Sequence, residues 1–171
     1  MRLLTVAIFA VSLVTNCAAH AQLRVQEQRL TSMGQFVNDW CNALNQNDAE
    51  KQMSFYANTD VVQVITSDGV LLRGSTAIKE VYMKANRKVE FHDSRTSKQH
   101  GTLSGDNAIV TFEHRFNVRT IPDGQRFARL IRTVMFLTNH NGAWKISSEH
   151  SSPIHGVQAT TKLETEKIDI P

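Results

Sequence analysis

The second half of the 171-residue chain is a series of long extended segments separated by short turn signals, and this feature limits the fold most strongly. Residues 109–119 alternate between apolar and polar side chains, and His114 is the one polar residue on the apolar face. A period of two is typical of a β-strand that buries one face. Turn signals lie at residues 105–107, 122–124 and 141–142. We therefore predict a meander of long strands over residues 88–103, 109–119, 127–138 and 144–152.

The first half of the chain has the three- and four-residue spacing of amphipathic helices. Residues 23–46 are predicted to form a long helix whose apolar stripe contains Met33, Phe36, Val37, Trp40 and Leu44. The spacing and capping residues predict further elements in order. These are a short helix capped by Asp48 that runs to about Tyr56, a strand over 61–66, a hairpin return over 70–72, and a helix from Thr76 to about Ala85 capped by Ser75, with Ile78, Val81 and Tyr82 inward.

Residues 1–21 have the properties of an export signal. A positive start is followed by the apolar run Leu3–Val14, and Ala19 and Ala21 fit the small-residue pattern of a signal-peptidase site. We expect cleavage after Ala21 and a periplasmic or secreted protein, with no membrane attachment afterwards. Two alternatives are an uncleaved membrane anchor and a lipoprotein acylated at Cys17.

Cleavage after residue 21 leaves 150 of the 171 residues, which suits one domain. We predict that residues 22–155 form this domain and that residues 156–171, which are polar and without period, form a loose tail. Cys41 is then the one cysteine left, so no intrachain disulfide can form. It lies beside the helical stripe, where a buried, unreactive thiol is expected rather than a redox group.

Charge and motif content exclude several classes of function. The chain has 19 basic and 16 acidic residues, a formal net charge of +3, and no basic stripe, so nucleic-acid binding is not supported. It contains no HExxH or CxxC motif, no glycine-rich phosphate loop and no Gly-x-Ser-x-Gly motif. We therefore predict no metal site and no cofactor.

Several short segments, in their order and spacing, resemble the SnoaL-like branch of the nuclear transport factor 2-like superfamily. They are Phe55-Tyr56-Ala57, Leu72-Arg73-Gly74 with Ala77-Ile78, Gly105-Asp106-Asn107-Ala108, Arg132-Thr133, Asn141-Gly142-Ala143-Trp144-Lys145-Ile146 and His150-Ser151-Ser152. The resemblance implies an α+β fold in which a cone-shaped, curved, antiparallel or mixed sheet packs on three N-terminal helices, with a pocket open at one end. It does not select an activity, because the superfamily includes isomerases, cyclases, dehydratases, hydrolases and binding proteins.

Two histidines are the candidate catalytic residues. His114 on its apolar face is either a general base or a core residue with one satisfied hydrogen bond. His150 is predicted to share a strand face with Trp144, Ile146, Ser148 and Ser152. If both histidines point inward from neighbouring strands, they can flank one ligand.

Five further residues are candidates for ligand binding. Tyr56, Trp40, Phe112 and Phe116 are candidates for the pocket wall, where Tyr56 can donate a hydrogen bond, although the helical spacing of Trp40 favours a core position. Arg132 either binds a carboxylate or phosphate or forms a bridge to Glu113 or Glu149. The isomerase branch of the superfamily has a carboxylate base on its first strand. Here Gln63-Val64 occupies that place, which argues against isomerase-type proton transfer.

These observations predict an exported protein that binds a small, partly apolar molecule in a hydrophobic pocket. The alternatives are a pocket enzyme of the isomerase, cyclase, lyase or hydrolase type with histidine acid/base chemistry, and a dimerisation or interaction module. Both faces of residues 127–138 are apolar, so we expect a homodimer through the sheet, unless the C-terminal tail covers the outer face.

Overall fold

The computed structural model describes residues 3–154, with the side chains of residues 20–154. The predicted tail, residues 156–171, lies outside the described residues. The elements in chain order are α1 (Leu3–Asn45), α2 (Ala49–Met53), β1 (Gln63–Ile65), β2 (Leu71–Arg73), α3 (Ser75–Asn86), β3 (Val89–Ser104), β4 (Asn107–Thr120), β5 (Arg126–His140) and β6 (Ala143–Pro153). The predicted α+β class and the order of elements are confirmed.

The six strands form one sheet in the order β2-β1-β6-β5-β4-β3. Strands β3 to β6 are the predicted antiparallel meander. Strand β1 lies parallel to β6, with Val64 opposite Glu149, so the β1–β2 hairpin extends the meander at one edge. The sheet is therefore mixed.

Strand β3 bends the sheet around α1. Its register with β4 shifts twice, between His92 and Arg95 and between Ser97 and His100. Asp93 and Lys98, one within each shift, have φ values of 53° and 51° in the left-handed region. Such bulges bend a strand and increase its twist. They give the sheet the curvature that the family resemblance implied.

Two asparagines fix the end of α1 against β3. Asn45 accepts a hydrogen bond from the backbone N–H of Ser94 and donates one to its carbonyl oxygen, at 2.7 and 3.2 Å. Asn47 does the same with Phe91, at 2.6 and 3.1 Å. Each amide side chain thus forms the two hydrogen bonds that the backbone of a neighbouring strand would form. These bonds satisfy backbone groups of β3 near the bulge.

A contiguous apolar core lies between the inner face of the sheet and the helices. It includes Met33, Val37 and Trp40 of the predicted α1 stripe, Ile78 of α3, and buried inward residues of β4, β5 and β6, and Phe36 packs against it. Among the described side chains, burial along α1 begins at Met33, and residues 20–28 are exposed. Cys41 is buried, as predicted.

Two predictions about α3 are wrong. Gly74, with φ of 81°, is the N-cap, and Ser75 lies inside the helix with its hydroxyl bonded to Asn58 at 3.0 Å. Glycine suits this position because its φ lies in a region that side-chain-bearing residues avoid. Val81 is 38% exposed rather than inward, whereas Ile78 is fully buried.

Candidate functional site

His114 lies on the inner face of β4 with its ring almost completely buried. Its Nε2 atom is 2.7 Å from the hydroxyl of Ser94, and that hydroxyl is 2.9 Å from the thiol of Cys41. Its Nδ1 atom is buried and has no hydrogen-bond partner among the described residues. A neutral imidazole has one donor and one acceptor nitrogen, so one ring nitrogen is unsatisfied in either tautomer. This is unusual for a buried polar group.

The surroundings of His114 are aromatic. Its ring centroid is 5.2 Å from that of Trp40 and 4.7 Å from that of Phe116. Burial in this environment lowers the pKa of His114 from 6.5 to about 4, because the charged imidazolium would lose its hydration. The ring is therefore neutral at neutral pH. The indole Nε1 of Trp40 is a second buried nitrogen without a partner in the described part of the chain.

Beyond His114 the inner face of the sheet is lined by half-buried aromatic side chains, which we call the aromatic rim: Phe91, Phe116 and Phe127. Phe91 and Phe116 have ring centroids 5.8 Å apart. Phe127 lies opposite Val118, on the same face. Burial along this face thus decreases from the fully buried Phe112 to the half-buried side chains of the aromatic rim.

A second polar cluster lies under β6. The hydroxyl of Tyr56 donates to a carboxylate oxygen of Glu149 at 2.5 Å and is 2.8 Å from the hydroxyl of Tyr82. Ser151 donates to the other carboxylate oxygen at 3.3 Å and is 3.0 Å from the hydroxyl of Thr133. These five side chains form a continuous chain of hydrogen bonds from α3 to β5.

Burial raises the pKa of Glu149 above its ordinary value, although hydrogen bonds from Tyr56 and Ser151 oppose the effect. Burial also raises the pKa of Tyr56, and the nearby Glu149 carboxylate adds to that rise. The tyrosines therefore remain protonated donors, and the carboxyl group can be held in its neutral form nearer to neutral pH than an exposed glutamate.

Glu149 and His150 lie on the opposite faces from those that a regular alternation predicts, because β6 contains one bulge. Phe136 pairs with Ser148 but Leu137 pairs with Ile146, so Ser147 is an extra residue in β6. The alternation of faces reverses at that point. Glu149 consequently points inward, and His150 is exposed on the outer face, not beside Trp144 and Ile146 as predicted.

The other predicted site residues divide between the interior and the surface. Trp40, Tyr56 and Phe112 are buried, and Phe116 is half-buried on the same inner face as His114. Arg132 is exposed on the outer face and contacts Glu113 at 3.5 Å. The predicted bridge to Glu113 is thus present, and a bridge to Glu149 is excluded because that carboxylate lies on the other side of the sheet.

The two polar clusters are separate. Met135 lies opposite both Glu149 and Val110, and His114 is four residues further along β4. Ideal strand geometry then places the Cα atoms of Glu149 and His114 about 16 Å apart. A small ligand can contact one cluster or the other, and only a longer molecule can contact both.

Tyr56 also borders a surface cleft. This cleft, of about 450 Å³, lies between α2 and α3 and is crossed by an ion pair of 2.6 Å between Lys79 and Glu50. A further groove of about 460 Å³ lies where α1 meets the β3–β4 turn, away from both clusters.

Among the side chains of residues 20–154, no three histidine, cysteine, aspartate or glutamate residues converge as metal ligands. In the described range, no helix has the length and apolar character needed to cross a membrane.

Comparisons with solved structures identify the fold. A protein from Streptomyces avermitilis, provisionally named a dehydratase of the NTF2-like family, is 18% identical with a TM-score of 0.67, over 75% of this chain and 98% of that chain. A ketosteroid isomerase-like protein from Erwinia carotovora atroseptica is 17% identical with a TM-score of 0.60, over 71% and 92%. A hexachlorocyclohexane dehydrochlorinase of type 2 is 12% identical with a TM-score of 0.61, over 75% and 93%.

The curved mixed sheet, the helices on its inner side and these similarities define the class of protein as nuclear transport factor 2-like. Residues 34–156, more than two thirds of the chain, match the SnoaL-like domain family. The chain belongs to that family, as the short sequence segments predicted. No curated protein matches the sequence significantly.

Proposed function

We propose that the mature protein is an exported binding protein for a small, partly apolar molecule, which it holds against His114 at the open end of the cone. The observation that carries this proposal is the buried Nδ1 atom of His114, which has no partner among the described residues. A buried polar atom without a partner lowers the stability of the folded protein by about 1–3 kcal/mol. A ligand that forms a hydrogen bond with this atom would remove that cost.

The chemistry around His114 indicates what such a ligand would be. The neighbouring rings of Trp40 and Phe116 offer apolar contact, and the unpartnered nitrogens of His114 and Trp40 offer hydrogen bonds. A few polar groups in an otherwise apolar wall are typical of small-molecule sites. Because His114 is neutral, it supports a hydrogen bond to a carbonyl or hydroxyl group rather than a charge interaction.

Trp40 provides a direct test of this proposal. In a Trp144→Phe background, Trp40 is the one remaining tryptophan and its ring lies 5.2 Å from that of His114. We expect the neutral probe phenylnaphthylamine to quench its fluorescence saturably, with one molecule bound per chain. His114→Leu should weaken binding several-fold, whereas the matched control His150→Leu, on the exposed face, should not. Absence of saturable quenching would contradict the proposal, as would equal binding by both variants.

A second candidate function is acid/base catalysis by Glu149 with Tyr56 as its hydrogen-bond donor. The specific observation is the 2.5 Å contact between a buried carboxyl group and a buried phenol. Burial raises the pKa of the Glu149 carboxyl group, and a carboxyl group with a raised pKa is suited to general acid/base chemistry. The first strand has no carboxylate, and Glu149 of β6 lies directly opposite Val64 of that strand.

Proton abstraction with loss of a leaving group is the reaction class to test for this candidate. Chloride release from hexachlorocyclohexane, which a protein of similar fold is named for, is one suitable assay. Glu149→Gln should abolish turnover and Ser151→Ala should reduce it less, because Ser151 makes only the longer of the two bonds to the carboxylate. Turnover that survives Glu149→Gln would exclude the carboxyl group as the base.

We also propose a homodimer through the outer face of the sheet. Phe136 and Ile109 lie opposite each other there and are 45% and 43% exposed, and the half-buried Val134 is the next outer-face residue of β5. Phe136→Lys should shift the sedimentation coefficient from dimer to monomer. Val61→Lys, at an 85% exposed apolar residue elsewhere, is the matched control and should leave it unchanged. A wild-type monomer at high concentration would contradict the proposal.

Export is the third component of the proposal and rests on residues 1–21 of the sequence. We expect the protein recovered from the producing cell to begin at Gln22, as measured by intact mass. A retained N-terminus would support the alternative of an anchor, and a lipid-modified Cys17 would support the lipoprotein alternative.

A further inference from the structure

The inner face of the sheet carries an exposed, charged side chain, Arg129, at the end where its aromatic residues are only half-buried. Arg129 of β5 lies directly opposite Phe116 of β4, and the next inward pair along the same strands is Ile131 with His114. Its guanidinium group stands over the ring of Phe127, 4.7 Å from the centroid. Arg129 therefore belongs to the same surface as the aromatic rim and not to the outer face that carries Arg115 and Arg132.

The charge of Arg129 is not neutralised by a neighbouring acid. No carboxylate of the described residues lies within ion-pair distance of its guanidinium group. By contrast, the outer-face cations Lys98 and Arg132 share Glu113, and Arg119 pairs with Glu90. The contact with Phe127 keeps the guanidinium group near the rim, because a cation is attracted to the face of an aromatic ring.

The spacing on the sheet relates Arg129 to His114. Residues on adjacent strands that are offset by two positions are about 7–8 Å apart, which is the relation between Arg129 and His114. A molecule of the size of one or two rings that lies on Phe116 and contacts Arg129 therefore extends toward the buried His114. An arginine binds carboxylate, sulfonate or phosphate groups through two parallel hydrogen bonds.

We propose that the ligand is an apolar organic acid, whose anionic group binds Arg129 and whose apolar body lies on Phe116 with its far end toward His114. This inference rests on the proposed binding function and adds the chemical class of the ligand. Arg129 selects for the anion, and the aromatic rim selects for the apolar body.

Two fluorescent probes with the same ring system separate these contributions. Anilinonaphthalene sulfonate carries an anionic group, and phenylnaphthylamine has the same rings without it. We expect Arg129→Gln to weaken binding of the anionic probe about tenfold, equivalent to about 1.4 kcal/mol, and binding of the neutral probe less than twofold. Arg129→Lys keeps the charge but loses the planar fork, so it should fall between wild type and Arg129→Gln. Arg115→Gln, an exposed arginine on the opposite face, is the matched control and should change neither affinity.

The outcomes distinguish the two proposals. If both probes bind and Arg129→Gln weakens them equally, or weakens neither, the inference about the anionic group is wrong while the binding function stands. If Arg115→Gln weakens the anionic probe as much as Arg129→Gln does, the probe binds the outer face, which also overturns the inference. If neither probe binds the wild-type protein, the proposed function fails and this inference fails with it.

Discussion

Replacement of His114 by methionine should change how the stability of the protein depends on pH. In the folded protein the pKa of His114 is lowered to about 4, whereas in the unfolded chain it has its ordinary value of 6.5. Between these two values the unfolded chain binds a proton that the folded protein does not. The contribution of His114 to stability is therefore fully present above pH 6.5 and is lost as the pH falls toward 4.

The size of this loss follows from the two pKa values. The difference of 6.5 from about 4 corresponds to about 3 kcal/mol when the titration is complete. At about pH 5 the loss amounts to about 2 kcal/mol relative to about pH 8. Because a methionine does not titrate, the His114→Met variant should lack this part of the change, whatever its stability at neutral pH.

Urea unfolding of the protein at about pH 8 and about pH 5 measures the effect. The change in the free energy of unfolding between the two pH values should be about 2 kcal/mol larger for the wild type than for His114→Met. Contributions of all other groups cancel in this comparison. His150→Gln, which replaces the exposed histidine, should behave like the wild type. Equal pH dependence of wild type and His114→Met would refute the argument that His114 is buried and neutral.

Four further changes test other parts of the structure. The wild type should lose stability as the pH rises above 4.5, because the carboxyl group of Glu149 ionises in the unfolded chain before it does in the folded protein. The Glu149→Gln variant should not show this loss. Identical urea unfolding profiles of the two proteins across this range would contradict the raised pKa. Ile78→Ala, at a fully buried residue, should lower the free energy of unfolding by about 2–5 kcal/mol. Asn47→Ala should destabilise more than Asn47→Gly, by about 1 kcal/mol, because both lose the two bonds to Phe91 but only glycine adopts the φ of 53° without strain. Removal of residues 1–21 should change the urea midpoint little, because the first buried side chain in the described part of α1 comes later.

The sequence predicted most of the fold because its periodicity is regular where the structure is regular. The alternation around His114 matches the inner and outer faces of β4 residue by residue. The apolar stripe of α1 predicted which of its residues are buried in the core. The short turn signals predicted the ends of the long strands to within a few residues. These signals arise from burial of one face, which a sequence records directly.

The candidate site was harder to predict because it depends on where that regularity is broken. Ser147 and Ser148 carry no hydropathy signal, so nothing in the sequence marks the bulge that turns Glu149 inward and His150 outward. Arg129 is similar: it is exposed, as an arginine in a strand is expected to be, and both faces of its strand are apolar, so the alternation does not show which face lies inward. Its inward position becomes evident only from the register that pairs it with Phe116.

The histidine side-chain resonances of the protein, recorded by nuclear magnetic resonance during titration with phenylnaphthylamine, test the central proposal most directly. If a small apolar molecule binds at the open end of the cone, the ring-nitrogen resonances of His114 should shift saturably while those of His150 stay constant. Shifts confined to His150 would place binding on the outer face of the sheet and would contradict the account. An unchanged His114 at saturating probe would do the same.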